Sequence, residues 1–392
     1  MATRPFTIDI LGGGPSGLYL ALLVKRRRPG FQVTVYEQNR AEDTFGFGVV
    51  LADTGMNKFE VADAESANSL RSAMTFANAQ TIRLNDQAMD IKRPGTGGGA
   101  IARIQLLRVL QARARELGVD IRFSSRMDPK SEEMATVMAR ADIVVGADGG
   151  GSLLRTSMAP EFGTTQYLLK NRFAWYGTHK VFTNPALVFR EYQGGYYVAH
   201  YYPYSKDMST FVAECDEATW FTSGMDKMED AHRQARFEQI FAAELDGHAL
   251  ISSNSVWRQF PVIRNKHWSS GKFVLMGDAL ATAHFSIGSG SRIAMEDALA
   301  LADAICTDGA SVPQMLTTYE TTRRPGKDTL IDASEHSFNW YEDMAQKMAC
   351  GNVHEFVYDF MTRTGRIDGE RLVKQFPELV AALESQKLKV TA

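Results

Sequence analysis

About forty residues at the start constrain the chain most. An apolar run containing Ile8, Ile10 and Leu11 leads into Gly12-Gly13-Gly14-Pro15-Ser16-Gly17; an apolar run from Leu18 to Val24 follows, then a β-rich run from Phe31 to Tyr36 that ends at Glu37. This order predicts a strand, a tight turn, a helix and a second strand. Gly12 permits the turn, Gly14 lets a pyrophosphate approach the backbone, and Gly17 allows the helix to pack on the strand, so the helix N-terminus faces the phosphates. Glu37, at the end of the second strand, is placed to accept hydrogen bonds from a ribose 2′-hydroxyl. Glycine turns match G-x-G-x-x-G by chance, but the flanking strands, the helix and the terminal acid together specify a dinucleotide site. An ordinary strand-turn-helix explains neither the third glycine nor Glu37.

A chain of 392 residues can bury a large core and hold two or three sub-domains in one body. Its formal net charge of −3, with 23% charged residues, gives no general attraction to nucleic acid or to an anionic membrane. Cys215, Cys306 and Cys350 lack the spacing of a disulfide framework or a zinc site. No apolar run is long enough to span a bilayer, and Met1 to Thr7 has no apolar core of an export signal. A reducing, cytoplasmic setting is expected, with no nucleic acid or membrane partner and with a monomer or homodimer as the assembly.

Further along, Asp43-Thr44-Phe45-Gly46-Phe47-Gly48-Val49-Val50-Leu51 sets glycines among aromatics before a strand. Such a segment either lays its backbone against a flat ring or simply turns into the strand. Ala52 to Gly99 carries no functional signal and ends in a flexible run from Pro94 to Gly99. The run Ile101 to Leu110 is expected to be the start of a helix, with Leu106, Leu107 and Leu110 on its apolar stripe. Arg103 in its first turn opposes the helix dipole, and a buried anionic partner such as a phosphate would account for it. Ala141 to Ala147 reads as a buried parallel strand opening onto Asp148-Gly149-Gly150-Gly151-Ser152, the place where open α/β sheets bind ligands.

From Arg172 to Phe260 the texture becomes that of an antiparallel sheet, whose Trp175, Tyr176, Tyr192, Tyr196, Tyr197, His200, Tyr201 and Tyr202 could floor an aromatic pocket. Alternation sends half of them to the other face. Lys272 to Met276 is a further strand, followed by Gly277-Asp278, the loop His284-Phe285-Ser286-Ile287-Gly288-Ser289-Gly290 and a helix from Arg292 to Ile305. This is a second cradle for polar groups. The remainder to Leu383 reads as helical.

Three separated signatures, Gly12 to Gly17 with Glu37, Asp148-Gly149 with Ser152 and Arg155, and Gly277-Asp278 with Gly288 and Gly290, resemble those of the single-component FAD-dependent aromatic monooxygenases, the para-hydroxybenzoate hydroxylase-like group. The resemblance covers residues 8 to 330. It implies an α/β (α+β) fold in which a Rossmann-like FAD-binding domain (1–170 and 266–330) is interleaved with an antiparallel-sheet substrate domain (171–265) and followed by C-terminal helices (331–392). It also implies FAD contacts from Gly12, Gly14, Pro15, Ser16, Gly17, Glu37, Val49, Arg103, Asp148, Gly277, Asp278, Ile287, Gly288 and Gly290. NADH or NADPH is the implied co-substrate, and no metal is required.

Within the group, Phe45 to Val50, His284 to Gly290, Ala294 to Ala298 and the tail Phe360-Met361-Thr362-Arg363-Thr364-Gly365-Arg366-Ile367 look most like the branch that hydroxylates aromatic acyl-CoA thioesters, such as salicylyl-CoA 5-hydroxylase. The violacein-pathway indole hydroxylase is similar at His284 to Gly288 and at Trp175 to Thr178. Leu280-Ala281, Phe285 and Arg292 depart from the wider group's pattern. The expected activity is therefore hydroxylation of an aromatic ring with O2, on a CoA thioester such as salicylyl-CoA or on an indole-derived compound, with His284 or His200 as general base. No reductase-like second domain is expected after Ala392. A flavoprotein oxidase or dehydrogenase is the competing class, and a non-catalytic nucleotide-binding module a further one.

Overall fold

The computed structural model describes residues 4–44, 46–92, 98–128, 130–253 and 256–390. Phe45 of the glycine-aromatic segment, and Pro94 to Gly97 of the expected flexible run, lie outside them. The first sheet has the strand order Ser269–Ser270, Phe273–Leu275, Ile143–Gly146, Thr7–Leu11, Gln32–Tyr36, Asp120–Arg122. All its pairings are parallel except that of the short edge strand Ser269–Ser270. Continuous burial of Thr7–Leu11 and Ile143–Gly146 is the mark of parallel strands covered on both faces. Helices Pro15–Arg27, Arg103–Glu116 and Gly290–Ile305 contribute Leu18, Leu106 and Leu301 to the same core.

A second, seven-stranded sheet runs Leu250–Ser252, Arg172–Thr178, Ser209–Cys215, Gly195–Pro203, Ala186–Tyr192, Ala79–Leu84, Gln87–Lys92. It therefore recruits a hairpin from the stretch that carried no signal in sequence. One face buries Tyr176, Tyr197, Tyr201 and Phe211 against helix Asp230–Ile240. On the other face, Leu187, Phe189 and Val198 pack on Trp340, Tyr341 and Phe356 of helices Val312–Glu342 and Val353–Thr362.

Between the two sheets lies a three-stranded one, Gly48–Leu51, Gly99–Ala102 and Thr75–Phe76. Here the structure corrects an expectation. Ile101 and Ala102 belong to a strand in register with Val49 and Gly48, and the helix begins only at Arg103. Backbone pairing with Gly48–Leu51 satisfies Ile101 and Ala102 in extended form, while the Arg103 N–H donates to the Phe47 carbonyl at 2.7 Å. Gly48 has a spatial reason to be glycine: a Cβ there would lie 2.7 Å from Tyr204 Cβ. The strand consequently sits flat on the second sheet, with its N–H bonded to Thr210 Oγ1 and its carbonyl to Tyr202 OH.

Candidate active site

The Gly12 turn has φ of +107°, and a Cβ on it would meet the Ala147 carbonyl oxygen at 2.4 Å. A Cβ on Gly17 would lie 2.0 Å from the Gly12 carbonyl oxygen. Both positions are closed by the protein itself. Gly14 differs: nothing lies within 4 Å of a Cβ built there, so the space in front of it is open to a ligand. Pro15 occupies the first helical turn, where its missing N–H costs nothing, and Ser16 is buried beside Gly277. Glu37 accepts from the Gly13 N–H at 2.8 Å and, through its other oxygen, from the Asn39 backbone and side chain. The acid is thus locked against the glycine turn.

Asp278 is exposed and Arg103 half-buried, so both keep surface that a ligand can reach. Burial pushes the Asp278 carboxyl up from its ordinary value, while the Lys327 and Arg103 cations pull it down. Burial likewise depresses Arg103, opposed by the charges of Asp278 and Glu37, so this guanidinium stands between the two ends of the nucleotide cleft. Asp148 gives one oxygen to the Leu153 N–H at 2.7 Å, and its Oδ1 is buried with no partner among the described residues. Arg155 ties the two later loops together, donating to the Gly150 carbonyl at 2.6 Å and the Ala279 carbonyl at 3.2 Å. Open space at Gly14, an orphaned acceptor at Asp148 and an exposed acid at Asp278 are what an extended dinucleotide requires, and these residues fit one.

The Gly277 turn, with φ of +59°, is held from behind. Its N–H donates to Asp297 at 3.0 Å, and buried Asp297 also binds Arg323 at 2.8 Å and Lys327. Sequence reasoning assigned nothing to this pair of cations. Its signal was Arg323 and Lys327 set four apart on an otherwise apolar helical face.

Next to the loop Ser286–Ser289 lies a cavity of about 290 Å³, near the small end of the range for ligand sites. One wall is the second sheet, through Leu187, His200 and Tyr202; another is the three-stranded sheet, through Val50, Thr75 and Ala100. The third is the tail, through Phe360, Met361, Arg363, Thr364, Arg366 and Ile367. Among the expected residues, Ile287, Gly288 and His200 line it. Gly290 is the first residue of helix Gly290–Ile305. Val50 faces the cavity, while Val49 packs on the first core. Of the aromatic sheet residues only Tyr202 joins His200; Tyr176, Tyr197 and Tyr201 are consumed by the far core, and Trp175 lies edge-on to Phe285.

His284 is not among the lining residues. It is packed against Phe260 and Phe285, and burial, with the Arg363 charge acting in the same direction, pushes its imidazole down to about 3. Its Nδ1 accepts from the Ser286 N–H at 3.3 Å, so it caps the loop as a neutral ring. Arg363 fastens that loop to the tail. Nη2 donates to the Ser286 carbonyl at 2.8 Å, Nη1 to the Phe360 carbonyl at 2.6 Å and Nε to Ser337 Oγ at 3.0 Å.

Among the described residues no group of side chains is arranged to hold a metal, and no helix is long and apolar enough to cross a membrane.

Comparison with known proteins places these features. The family described as FAD binding domain matches residues 6–334. Salicyloyl-CoA 5-hydroxylase of Streptomyces sp is 36% identical over 366 residues, which are 91% of this chain and 69% of that protein. A 3-hydroxy-4-methyl-anthranilyl-[aryl-carrier protein] 5-monooxygenase of Streptosporangium sibiricum is 33% identical, over 94% of this chain and 97% of the relative. Protodeoxyviolaceinate monooxygenase of Chromobacterium violaceum is 31% identical, over 91% and 94%. In fold, the chain superposes on the tetrameric form of 2-methyl-3-hydroxypyridine-5-carboxylic acid oxygenase with a TM-score of 0.70, at 20% identity, covering 88% of this chain and 92% of that one.

Proposed function

The chain belongs to the FAD binding domain family and is an FAD-dependent aromatic monooxygenase, and on that premise we propose that it hydroxylates the ring of an aromatic acyl thioester, salicylyl-CoA foremost, with a nicotinamide as reductant and O2 as oxidant. The observation that carries the substrate reading is the third wall of the cavity. The tail that resembles the acyl-CoA branch, Phe360 to Ile367, supplies six of the residues around the space where a ring would lie. The small cavity suits one ring.

When bound, FAD supplies the redox chemistry by which one oxygen atom of O2 is transferred to the ring. Gly12, Gly14, Pro15, Ser16, Gly17 and Glu37 would hold its adenosine diphosphate part. Arg103, Asp148, Gly277 and Asp278 would hold the remainder, with the backbone of Val49, Ile287, Gly288 and Gly290 beside the ring system. The protein orients the substrate and excludes water. The second sheet presents Gln80, His200 and Tyr202 to the cavity, and they are not equivalent. Tyr202 gives its hydrogen to the Gly48 carbonyl at 2.9 Å, and burial pushes its phenol up to about 12, so it stays protonated. His200 is the imidazole on that wall, the side-chain type that can take a proton from a ring hydroxyl or amine. His284, neutral and buried, positions the loop.

A panel separates the readings: salicylyl-CoA, free salicylate and an indole, each with the FAD-loaded enzyme under identical conditions. Ring hydroxylation of the thioester with loss of both turnover and affinity on the free acid is expected, because remote binding energy positions the ring. Equal use of both, or activity on the indole alone, as the 31% identity to protodeoxyviolaceinate monooxygenase would favour, overturns the thioester reading.

A further inference from the structure

Past the cavity mouth the chain gathers cations that the reaction as described does not use. Arg366 lines the cavity beside Thr364 and Ile367, and its side chain is otherwise exposed. Arg371 reaches back to it, donating from Nη1 to the Arg366 carbonyl at 2.7 Å. Arg292 lies one helical turn beyond Ser289, itself a lining residue. It fits there because Gly55 has no side chain: a Cβ on Gly55 would come within 2.6 Å of Arg292 Cδ. Burial first, and then the like charges of Arg292 and Arg371, depress the Arg366 guanidinium from its ordinary value.

The local acids do not cancel this charge. Glu296 accepts from Arg292 at 2.8 Å, but it also serves Arg323 at 3.2 Å and Lys58 at 3.2 Å. One carboxylate is shared among three cations. Arg292 Nε is buried and has no partner among the described residues. Asp368 spends an oxygen capping the Arg371 N–H at 2.8 Å. Like charges brought together at the rim of a ligand cavity, with a buried donor unmet, define a place for an anion.

Resting on the thioester reading, we infer that Arg366, Arg371 and Arg292 form an anion site for the phosphate of a phosphopantetheine arm whose aromatic acyl end occupies the cavity. The arm carries its phosphate at the end remote from the thioester, so a ring inside and a phosphate outside correspond to one extended ligand. Guanidinium forks match phosphate oxygens in pairs. Coenzyme A carries this phosphate as the near half of a diphosphate and a carrier protein carries it as a phosphodiester, and the site recognises the anionic phosphate they share.

The test measures kcat/KM of the FAD-loaded wild type, Arg366→Ala and Arg371→Ala enzymes with three thioesters of one acid: salicylyl-pantetheine, which has no phosphate, salicylyl-phosphopantetheine, which has one, and salicylyl-CoA. The wild type should lose about tenfold on going from salicylyl-CoA to salicylyl-pantetheine, the scale of one charge-assisted hydrogen bond. Each variant should lose at least several times more with salicylyl-CoA than with salicylyl-pantetheine, and added salt should narrow the wild-type gap. If salicylyl-phosphopantetheine behaves like the CoA thioester, the arm's own phosphate is the one bound and a carrier-protein source is accommodated. If it falls between the two, further phosphates of coenzyme A contribute; both results support the site. Equal wild-type use of all three thioesters, or equal losses of the variants on all three, overturns the anion site while leaving the thioester reading intact. Failure of the wild type on every thioester, with activity on an indole, overturns that reading and the site with it.

Discussion

Replacing Arg363 by alanine should release the tail from the loop Ser286–Ser289. The side chain donates three hydrogen bonds, to Ser286, Phe360 and Ser337, and its guanidinium carbon lies 3.7 Å from the Phe360 ring centroid. A hydrogen bond involving a charged group contributes about 1.5–3 kcal/mol net, and a desolvated cation–π contact about 2 kcal/mol. Two effects reduce the total. Burial penalises the charged guanidinium, which depresses its pKa, and water entering from the cavity can serve the acceptors left behind. A net loss of ~3 kcal/mol follows, which raises the population with an undocked tail about a hundredfold. Hydrogen exchange of helix Val353–Thr362 should accelerate accordingly while the parallel sheet keeps its protection. Reductant should be consumed with less hydroxylated product, because the third cavity wall no longer excludes water. Arg363→Lys, with its three donors on one atom, cannot reach all three acceptors and should lie close to alanine. Unchanged exchange of that helix, together with unchanged coupling, would refute the reasoning.

Gly14→Ala places a methyl where the protein leaves open space, so the apo-protein's stability should change by no more than about 0.5 kcal/mol while FAD affinity, read by flavin titration, falls about tenfold. Gly17→Ala, whose Cβ would lie 2.0 Å from the Gly12 carbonyl oxygen, should lose both. His200→Gln should lower turnover by about 10²–10⁴ and flatten its pH profile, whereas a variant that keeps the wild-type profile removes His200 as the base. Urea unfolding across pH tests two buried groups. Glu214 is raised from 4.5 to about 8, so the native state holds a proton that the unfolded chain releases, and its contribution is lost as pH rises through that window. His284 is lowered from 6.5 to about 3, so the unfolded chain binds the extra proton and stability is lost as pH falls below 6.5. Glu214→Gln should therefore remove the alkaline decline, on the order of a few kcal/mol, and leave the acid one.

The opening strand-turn-helix-strand unit was legible because its determinants are local. Gly12, Gly17 and Glu37 sit at fixed offsets within one strand-helix-strand unit, and Arg103 stood out as a cation at the wrong end of a helix. The cavity beside the loop Ser286–Ser289 was legible only in part. Period-2 alternation separates His200 and Tyr202 from Tyr197 and Tyr201, but it does not say which face is the cavity. That is decided by Gly48, whose reason for being glycine is contact with Tyr204 and Thr210, the latter 162 positions away in the chain. Val50, Thr75 and Ala100 line the cavity through the same small sheet, and neither apolar character nor periodicity distinguishes them from ordinary strand residues. Arg363 read as one residue of a family-like tail; its bond to the Ser286 carbonyl, 77 positions distant, makes it part of the cavity. His284 drew attention as a histidine in a glycine-rich loop, and only the packing of Phe260 and Phe285 around it shows a capping role.

The most direct measurement is a single turnover of the FAD-loaded, reduced protein with salicylyl-CoA under ¹⁸O₂, followed by mass spectrometry of the thioester. The account predicts a ring-hydroxylated CoA thioester carrying one ¹⁸O atom, formed in near-stoichiometric proportion to the reductant consumed. Reoxidation with release of hydrogen peroxide and recovery of unlabelled salicylyl-CoA would contradict it.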